Sequence, residues 1–329
     1  MRSNLFCLLK VATLIVTVGV ACYKRPTKYE SSYKWQIIKT FDKEISITKL
    51  FRLNDCAWAI GVRVDLSDPR HPKSHNILLR TTDNWKTHTE QPLPGGNLWD
   101  LCFLNDSTGW CVGSAGTLLN TDDGGVTWQK IDLRTTNGWM SIFFRNAQEG
   151  WLGGGTVFKT IDGGQTSVRK YYPNNLSINA HICFITEELG FTTGISDLPA
   201  SSGLFKTTNG GESWQLLYHP THIGIRSFNT VDGIHIWYVD GVLVGSNDGG
   251  ATWYIADYNI QGSEIKFFSL QEGIVVGNKA IWRTSDGGVN WSKEDIEIPR
   301  EAGGIVRGFH IISSNDIWSW GQNVIFHYQ

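Results

Sequence analysis

Few residues of this sequence are of a type and spacing that could do chemistry. Asp100 and Glu264 each lie near the start of an apolar segment, and two carboxylates that meet in a fold can hydrolyse a glycosidic bond. We favour the alternative that both are solvated charges at the rim of the fold. The sequence contains no P-loop, no GxSxG elbow and no HExxH motif. We therefore expect no catalytic residue and no cofactor.

Two histidine pairs are candidates for a metal site. His71 with His75 and His219 with His222 both lie beside a proline in polar segments. Neither pair has an acidic or cysteine partner at ligand spacing, and no CxxC occurs. We expect loop histidines and no bound metal.

The charge and composition restrict the class of partner. The 329 residues carry a formal net charge of −2, whereas nucleic-acid-binding proteins usually show a basic excess. Hydrophobic residues make up 41% of the chain, enough to build a core. We expect a folded protein, monomeric, with no nucleic-acid partner.

The elements that must position any site are organised by one repeated turn. It reads TDDGGVTW at 121–128, and related copies end at Trp85, Ser167, Trp214, Trp253 and Trp291. The acidic or amide side chain can bond the backbone of its own turn, and the glycines supply backbone angles that other residues avoid. The central residues of the six turns are Asp83, Asp123, Asp162, Asn209, Asp248 and Asp286. We expect these residues to be structural.

The spacing of the turns predicts a propeller. The six central residues are 40, 39, 47, 39 and 38 residues apart. Between the turns, an aromatic or apolar residue followed by glycine three or four places later recurs seven times. The pairs are Trp58/Gly61, Trp110/Gly113, Trp151/Gly154, Phe191/Gly194, Trp237/Gly241, Ile274/Gly277 and Trp318/Gly321. A period near 40 with these features indicates four-stranded blades, here seven.

Seven units with six turns leave the last unit without a fourth strand. Residues 33–38 (YKWQII) match the strand that follows the turn at 121–128. An N-terminal strand that completes the C-terminal blade would close the ring and remove two exposed sheet edges. The fold class we predict is all-β, a seven-bladed propeller over residues 34–329 closed by the N-terminal strand.

The first residues read as a lipoprotein signal. An apolar run over 11–21 is too short to span a bilayer and precedes Val20-Ala21-Cys22. Residues 1–21 are predicted to be a signal peptide, Cys22 the lipid attachment site and 22–33 a tether. Ordinary signal-peptidase cleavage nearby is the alternative, since Gly19 replaces the usual leucine.

The repeated turns resemble the Asp-box (BNR) repeat of sialidases, sortilin-type receptors and photosystem II assembly factors. With the seven units, the closure and the lipoprotein-like start, the chain resembles the photosystem II assembly and stability factor family. That resemblance implies a seven-bladed propeller, lipid anchoring in some members and an arginine-rich binding patch. The Arg-Ile-Pro motif that begins sialidases is absent.

One repeat position carries basic residues in neighbouring units. When the first strands are aligned on their phenylalanines, the residue two places earlier is basic in blades five, six, seven and one. These residues are Arg226, Lys266, Arg307 and Lys49. They predict a positive arc that binds an acidic segment of a protein client, or else four solvated side chains.

The function we expect is a non-enzymatic binding or assembly scaffold. It would be lipid-anchored in the bacterial cell envelope, at the outer membrane or the periplasmic side of the inner membrane. The alternative is a sialidase-related propeller that binds or hydrolyses glycans.

Overall fold

The computed structural model describes residues 35–68, 70–155, 157–166, 168–170, 177–197, 200–218, 224–297 and 306–329. The predicted signal peptide, Cys22 and the tether lie outside the described residues, as does the pair His219 and His222. No described helix is both long enough and apolar enough to span a membrane.

All of the regular secondary structure among the described residues is β-strand. The first thirteen strands are β1 (Trp35–Thr40), β2 (Ile45–Leu53), β3 (Cys56–Asp65), β4 (Lys73–Thr81), β5 (Thr89–Leu93), β6 (Leu98–Phe103), β7 (Gly109–Gly113), β8 (Leu118–Thr121), β9 (Gln129–Ile131), β10 (Trp139–Phe144), β11 (Gly150–Gly154), β12 (Val157–Thr160) and β13 (Val168–Lys170). The remaining strands are β14 (Ser177–Phe184), β15 (Gly190–Asp197), β16 (Ala200–Thr207), β17 (Gln215–Tyr218), β18 (Ser227–Thr230), β19 (Ile236–Val239), β20 (Leu243–Ser246), β21 (Tyr254–Asp257), β22 (Glu264–Phe267), β23 (Gly273–Val276), β24 (Ala280–Thr284), β25 (Ser292–Asp295), β26 (Gly308–Ser313), β27 (Asp316–Trp320) and β28 (Val324–Tyr328).

The strands form seven antiparallel sheets of four strands, which are the seven blades. Blade 1 is β2 to β5, and each following group of four consecutive strands forms the next blade up to β25. Blade 7 combines β26, β27 and β28 with β1. The predicted fold class and number of blades are confirmed.

The N-terminal strand closes the ring as predicted. β1 runs antiparallel to β28, from the pair Trp35 and Tyr328 to the pair Thr40 and Val324. The rings of Trp35 and Tyr328 lie 5.6 Å apart, and both side chains are buried. The pairing covers the outer edge of β28, which would otherwise expose unpaired backbone groups.

Each Asp-box turn is held by hydrogen bonds within the turn. In blade 2 the Thr121 hydroxyl donates to Asp123 Oδ1 at 2.8 Å, and its oxygen accepts from the Gly125 amide at 2.8 Å. The amide and hydroxyl of Thr127 both donate to the Asp123 carboxylate, at 2.9 and 2.6 Å. Equivalent bonds surround the other central residues, which are Asp83, Asp162, Asn209, Asp248 and Asp286.

The box turns also connect neighbouring blades. The indole N–H of Trp58 in blade 1 donates to the Gly124 carbonyl in the box of blade 2, at 2.7 Å. Trp110 and Trp151 make the same bond to the next box, at Gly163 and Gly210. Because Gly124 and its equivalents have positive φ, the turn can present this carbonyl without strain.

Candidate functional site at the channel mouth

The first strand of each blade lines the central channel, so its residues form successive rings. Strand pairing identifies equivalent positions, because the first strand of each blade is paired with the second strand, which carries the recurring aromatic or apolar residue. We call the residue paired with it the lower position. In blade order this position holds Phe51, Cys102, Phe143, Cys183, Asn229, Lys266 and His310.

Two further rings lie nearer the start of the first strand. We call the residue two places before the lower position the middle position, and the residue three places before it the mouth position. Blade 4 is left out of both rings, because its first strand is irregular between Ile178 and Ile182. In the other six blades the middle position holds Lys49, Asp100, Ser141, Ser227, Glu264 and Gly308. The mouth position holds Thr48, Trp99, Met140, Arg226, Ser263 and Arg307.

The strand register corrects the alignment that predicted one basic position. Arg226 and Arg307 do share the mouth position, but Lys49 occupies the middle position and Lys266 the lower one. The alignment failed because the phenylalanines are not equivalent. Phe51 pairs with Trp58, whereas Phe103 lies one place beyond the lower position. The order of the blades, five to seven and then one, is as predicted.

The middle ring is held by bonds between blades. The Lys49 ammonium lies 3.1 Å from Asp100 Oδ1 in the next blade, and Asp100 Oδ2 accepts from the Ile142 amide of blade 3 at 3.1 Å. Asp100 raises the pKa of Lys49 above its ordinary value, against the opposing effect of burial. Lys49 is therefore a charge already paired with Asp100.

Glu264 also has a partner within this ring. The Ser227 hydroxyl donates to Glu264 Oε1 at 2.8 Å, and its oxygen accepts from the Ile265 amide at 3.3 Å. The negative charge of Glu264 contributes to the raised pKa of Lys49. Asp100 and Glu264 thus connect first strands around the channel, and the interpretation of Asp100 as a solvated rim charge is wrong, because its side chain is buried.

The lower ring contains a lysine and a neutral histidine. Burial lowers the pKa of His310 to about 4, and the charges of Lys49 and Lys266 act in the same direction. The His310 ring donates from Nε2 to the Arg52 carbonyl at 3.0 Å, because a carbonyl can only accept. Lys266 opposes the effect of burial on Cys183, whose pKa is raised to about 12. Lys49 is paired with Asp100, whereas Lys266 is exposed and has no ion pair among the residues that the structure describes.

Two arginines lie at the mouth. The guanidinium of Arg307 donates to Ser46 Oγ at 2.6 Å and to the Ile47 carbonyl at 3.3 Å, across the junction of blades 7 and 1. Arg226 is exposed, and its side chain has no hydrogen bond or ion pair with the residues that the structure describes. The backbone amides of both arginines donate to the second strand of their own blade, at 3.0 and 2.8 Å.

On the opposite arc of the mouth the same position holds apolar side chains. Trp99 is 40% exposed and Met140 is 44% exposed, in the adjacent blades 2 and 3. Each is the extra residue at a register shift of its first strand. Sequence reasoning missed both residues. An alignment on Trp110 and Trp151 of the second strands, in place of the phenylalanines, would have put them at one position.

The other candidate residues stay apart from the channel. His71 is 81% exposed at the side chain and lies 3.2 Å from Asp68, a neighbour that the sequence interpretation overlooked. Among the residues described, no three His, Cys, Asp or Glu side chains are grouped so that they could hold a metal ion. Cys56, Cys102, Cys111 and Cys183 are free thiols.

Comparison with known proteins identifies similar chains. A family model described as photosynthesis system II assembly factor YCF48 matches residues 79–219. The photosystem II assembly lipoprotein Ycf48 of Synechococcus sp. (strain CC9902) is 27% identical over 248 residues, which are 69% of this chain and 70% of that protein. These matches identify the repeat as the BNR type and the chain as similar to the photosystem II assembly factors.

Solved structures share the fold. A structure described as YCF48 bound to D1 peptide is 16% identical with a TM-score of 0.64, and the match covers 90% of this chain and 96% of that one. The GH74 enzyme of Niastella koreensis is also 16% identical, with a TM-score of 0.57. That match covers 83% of this chain and 50% of the enzyme, so this chain spans half of its length.

Proposed function

We propose that this Asp-box propeller, which resembles the photosystem II assembly factors, is a non-enzymatic assembly factor that binds a protein client at the mouth of its channel. The likeness to a curated assembly lipoprotein supports the assembly role. One of the similar propellers was solved with a peptide bound, which supports a protein client. The assembly factor would act in the bacterial cell envelope, anchored by a lipid on Cys22.

The observation that carries the proposal is the charge at the mouth. Arg226 and Arg307 occupy the same ring position, and both are exposed, whereas Lys49, deeper in the channel, is paired with Asp100. A protein of net charge −2 that keeps two exposed arginines at one opening would attract an acidic segment. Arginine also offers two parallel hydrogen bonds to a carboxylate.

The test is a charge reversal at the mouth with a matched control. Arg226→Glu with Arg307→Glu changes the net charge by −4. Lys86→Glu with Lys130→Glu makes the same change at exposed positions beyond the channel, one in the box turn of blade 1 and one in the outer strand of blade 2. The lipidated protein would be used to capture clients from envelope extract. We expect capture to fall with the first pair alone, and to weaken with salt for the wild type. Equal capture by both double variants would refute the proposal.

A glycosidase is the second candidate, favoured by the likeness to the GH74 enzyme. Against it, Asp100 and Glu264 are both engaged in bonds between blades. A panel of fluorogenic sialosides and other glycosides distinguishes the two functions. Turnover that Asp100→Asn or Glu264→Gln abolishes in a folded protein would favour the enzyme.

A further inference from the structure

We propose that the mouth recognises two chemical features of its client at once, an acidic group and an apolar side chain, the latter bound by Trp99 and Met140. This inference deepens the proposed function and rests on it, because it specifies the segment that the mouth takes. The arginines of blades 5 and 7 would hold the carboxylates. The apolar side chain would lie against blades 2 and 3.

Trp99 differs from the other tryptophans of this chain in its exposure. All 15 tryptophans lie within the described residues, and Trp99 is the only one of them that is exposed. Seven other tryptophans are almost completely buried, and they contribute to the core. An exposed indole costs the protein hydration free energy that the other tryptophans avoid. Tryptophan is also enriched among the residues that dominate binding interfaces.

Met140 makes the arrangement more specific. It is the only methionine after Met1, and it occupies the position equivalent to Trp99 in the next blade. The two first strands have the same burial pattern, with one exposed residue followed by two buried ones. Methionine adapts its shape to a bound group, and it is common on surfaces that bind varied apolar partners.

The backbone places the two first strands side by side. Asp100 in blade 2 accepts a hydrogen bond from the Ile142 amide in blade 3, so the strands run side by side in a fixed register. Trp99 and Met140 are the residues at which each strand departs from regular pairing. A β-bulge of this kind redirects a side chain, and bulges are frequent beside binding sites. The bulges therefore account for the exposure of both residues at the mouth.

The charge of the mouth decides which apolar partner fits. An uncharged lipid surface or a neutral apolar peptide would contact Trp99 and Met140 but would leave Arg226 and Arg307 without a counter-charge. An acidic peptide without an apolar residue would leave the indole in water. An acidic peptide segment with at least one large apolar side chain can bind the arginines and the apolar pair at the same time.

The test uses four synthetic ten-residue peptides labelled with a fluorophore. One has four acidic residues and a central leucine, the second has alanine in place of leucine, and the third and fourth replace the acidic residues of the first and second by glutamine and asparagine. Anisotropy measures the Kd of each for the wild type. The variants are Trp99→Ala with Met140→Ala, and Arg226→Glu with Arg307→Glu. The control Ile161→Ala with Val289→Ala truncates exposed apolar residues of two box turns.

We expect the wild type to bind the acidic leucine peptide about tenfold more tightly than the acidic alanine peptide. The additional apolar surface of leucine, once buried, stabilises the complex by a free energy that corresponds to about this ratio of Kd values. Trp99→Ala with Met140→Ala should abolish that ratio while acidic binding remains, and the control should preserve it. A ratio near one for the wild type, or a ratio that the variant retains, would overturn the inference and leave the acidic binding intact. If the wild type bound the acidic peptides no more tightly than the glutamine and asparagine peptides, the proposed function itself would be refuted.

Discussion

The indole of Trp58 in blade 1 stacks on the ring of Phe103 in blade 2, with ring centroids 3.8 Å apart and planes 13° from parallel. The same pairing joins Trp110 to Phe144, Trp151 to Phe184 and Trp237 to Phe267. Each pair connects the second strand of one blade to the first strand of the next. These stacked pairs hold each first strand, which carries the residues of the channel rings, against the blade before it.

Replacement of Trp58 should be the most damaging of the box-related changes. Trp58→Ala removes a fully buried ring, a stack and the bond to Gly124, and we expect a loss of about 3–5 kcal/mol in the free energy of unfolding. Trp128→Ala should cost less, because that ring is only partly buried and bonds within its own turn. Chemical denaturation measures both. A larger effect for Trp128 would contradict this ranking.

The central aspartates should make stability depend on acid pH. Hydrogen bonds from Thr127, first from its hydroxyl and then from its amide, lower the pKa of Asp123 from the ordinary 3.8 to about 2. A lowered folded-state pKa contributes stability that is present above pH 4 and is lost as the pH falls toward 2.

Blade 4 provides the design for a control variant. Asn209 holds its box turn with an amide, which donates to Ser213 Oγ at 2.9 Å. Asp123→Asn should therefore keep the turn and reduce the loss of stability between pH 4 and pH 2, measured by thermal melts across that range. If the melting temperature of Asp123→Asn fell between pH 4 and pH 2 as steeply as that of the wild type, Asp123 would not contribute to the acid dependence of stability.

Closure by β1 should be essential for a soluble propeller. Deletion of residues 23–31 removes only the predicted tether, and we expect an unchanged melting temperature. Deletion of 23–40 also removes β1, exposes the edge of β28 and uncovers Tyr328, so the protein should aggregate. Light scattering and thermal melts compare the two truncations. Equal behaviour would mean that β1 is dispensable.

Cys22 should determine membrane attachment. Cys22→Ser removes the thiol that would carry the lipid, and the protein should move to the soluble fraction after cell lysis. Stable anchoring needs more than one acyl chain, which a lipoprotein N-terminus supplies. Membrane association of the variant equal to that of the wild type would contradict the predicted lipoprotein processing.

The fold could be predicted from the sequence because its signals are local and repeated. The spacing of the box residues could be read by comparing the repeats with one another. The match of residues 33–38 to a fourth strand was found in the same way, without any contact between blades. The channel rings depend on strand register, which an alignment on the phenylalanines did not reveal because they are not equivalent. The ion pair between Lys49 and Asp100 joins two blades, so it cannot be predicted from the sequence of either blade alone. The sequence therefore predicted the blades correctly and the basic arc in the wrong register.

The central claim is that the channel mouth binds an acidic client through Arg226 and Arg307. The most direct measurement is the Kd of the acidic leucine peptide for the wild type, for Arg226→Glu with Arg307→Glu, and for the control Lys86→Glu with Lys130→Glu, at two salt concentrations. We expect the mouth variant to lose binding at an unchanged melting temperature, and the control to retain most of it. Binding by the mouth variant that equals binding by the control would contradict the account.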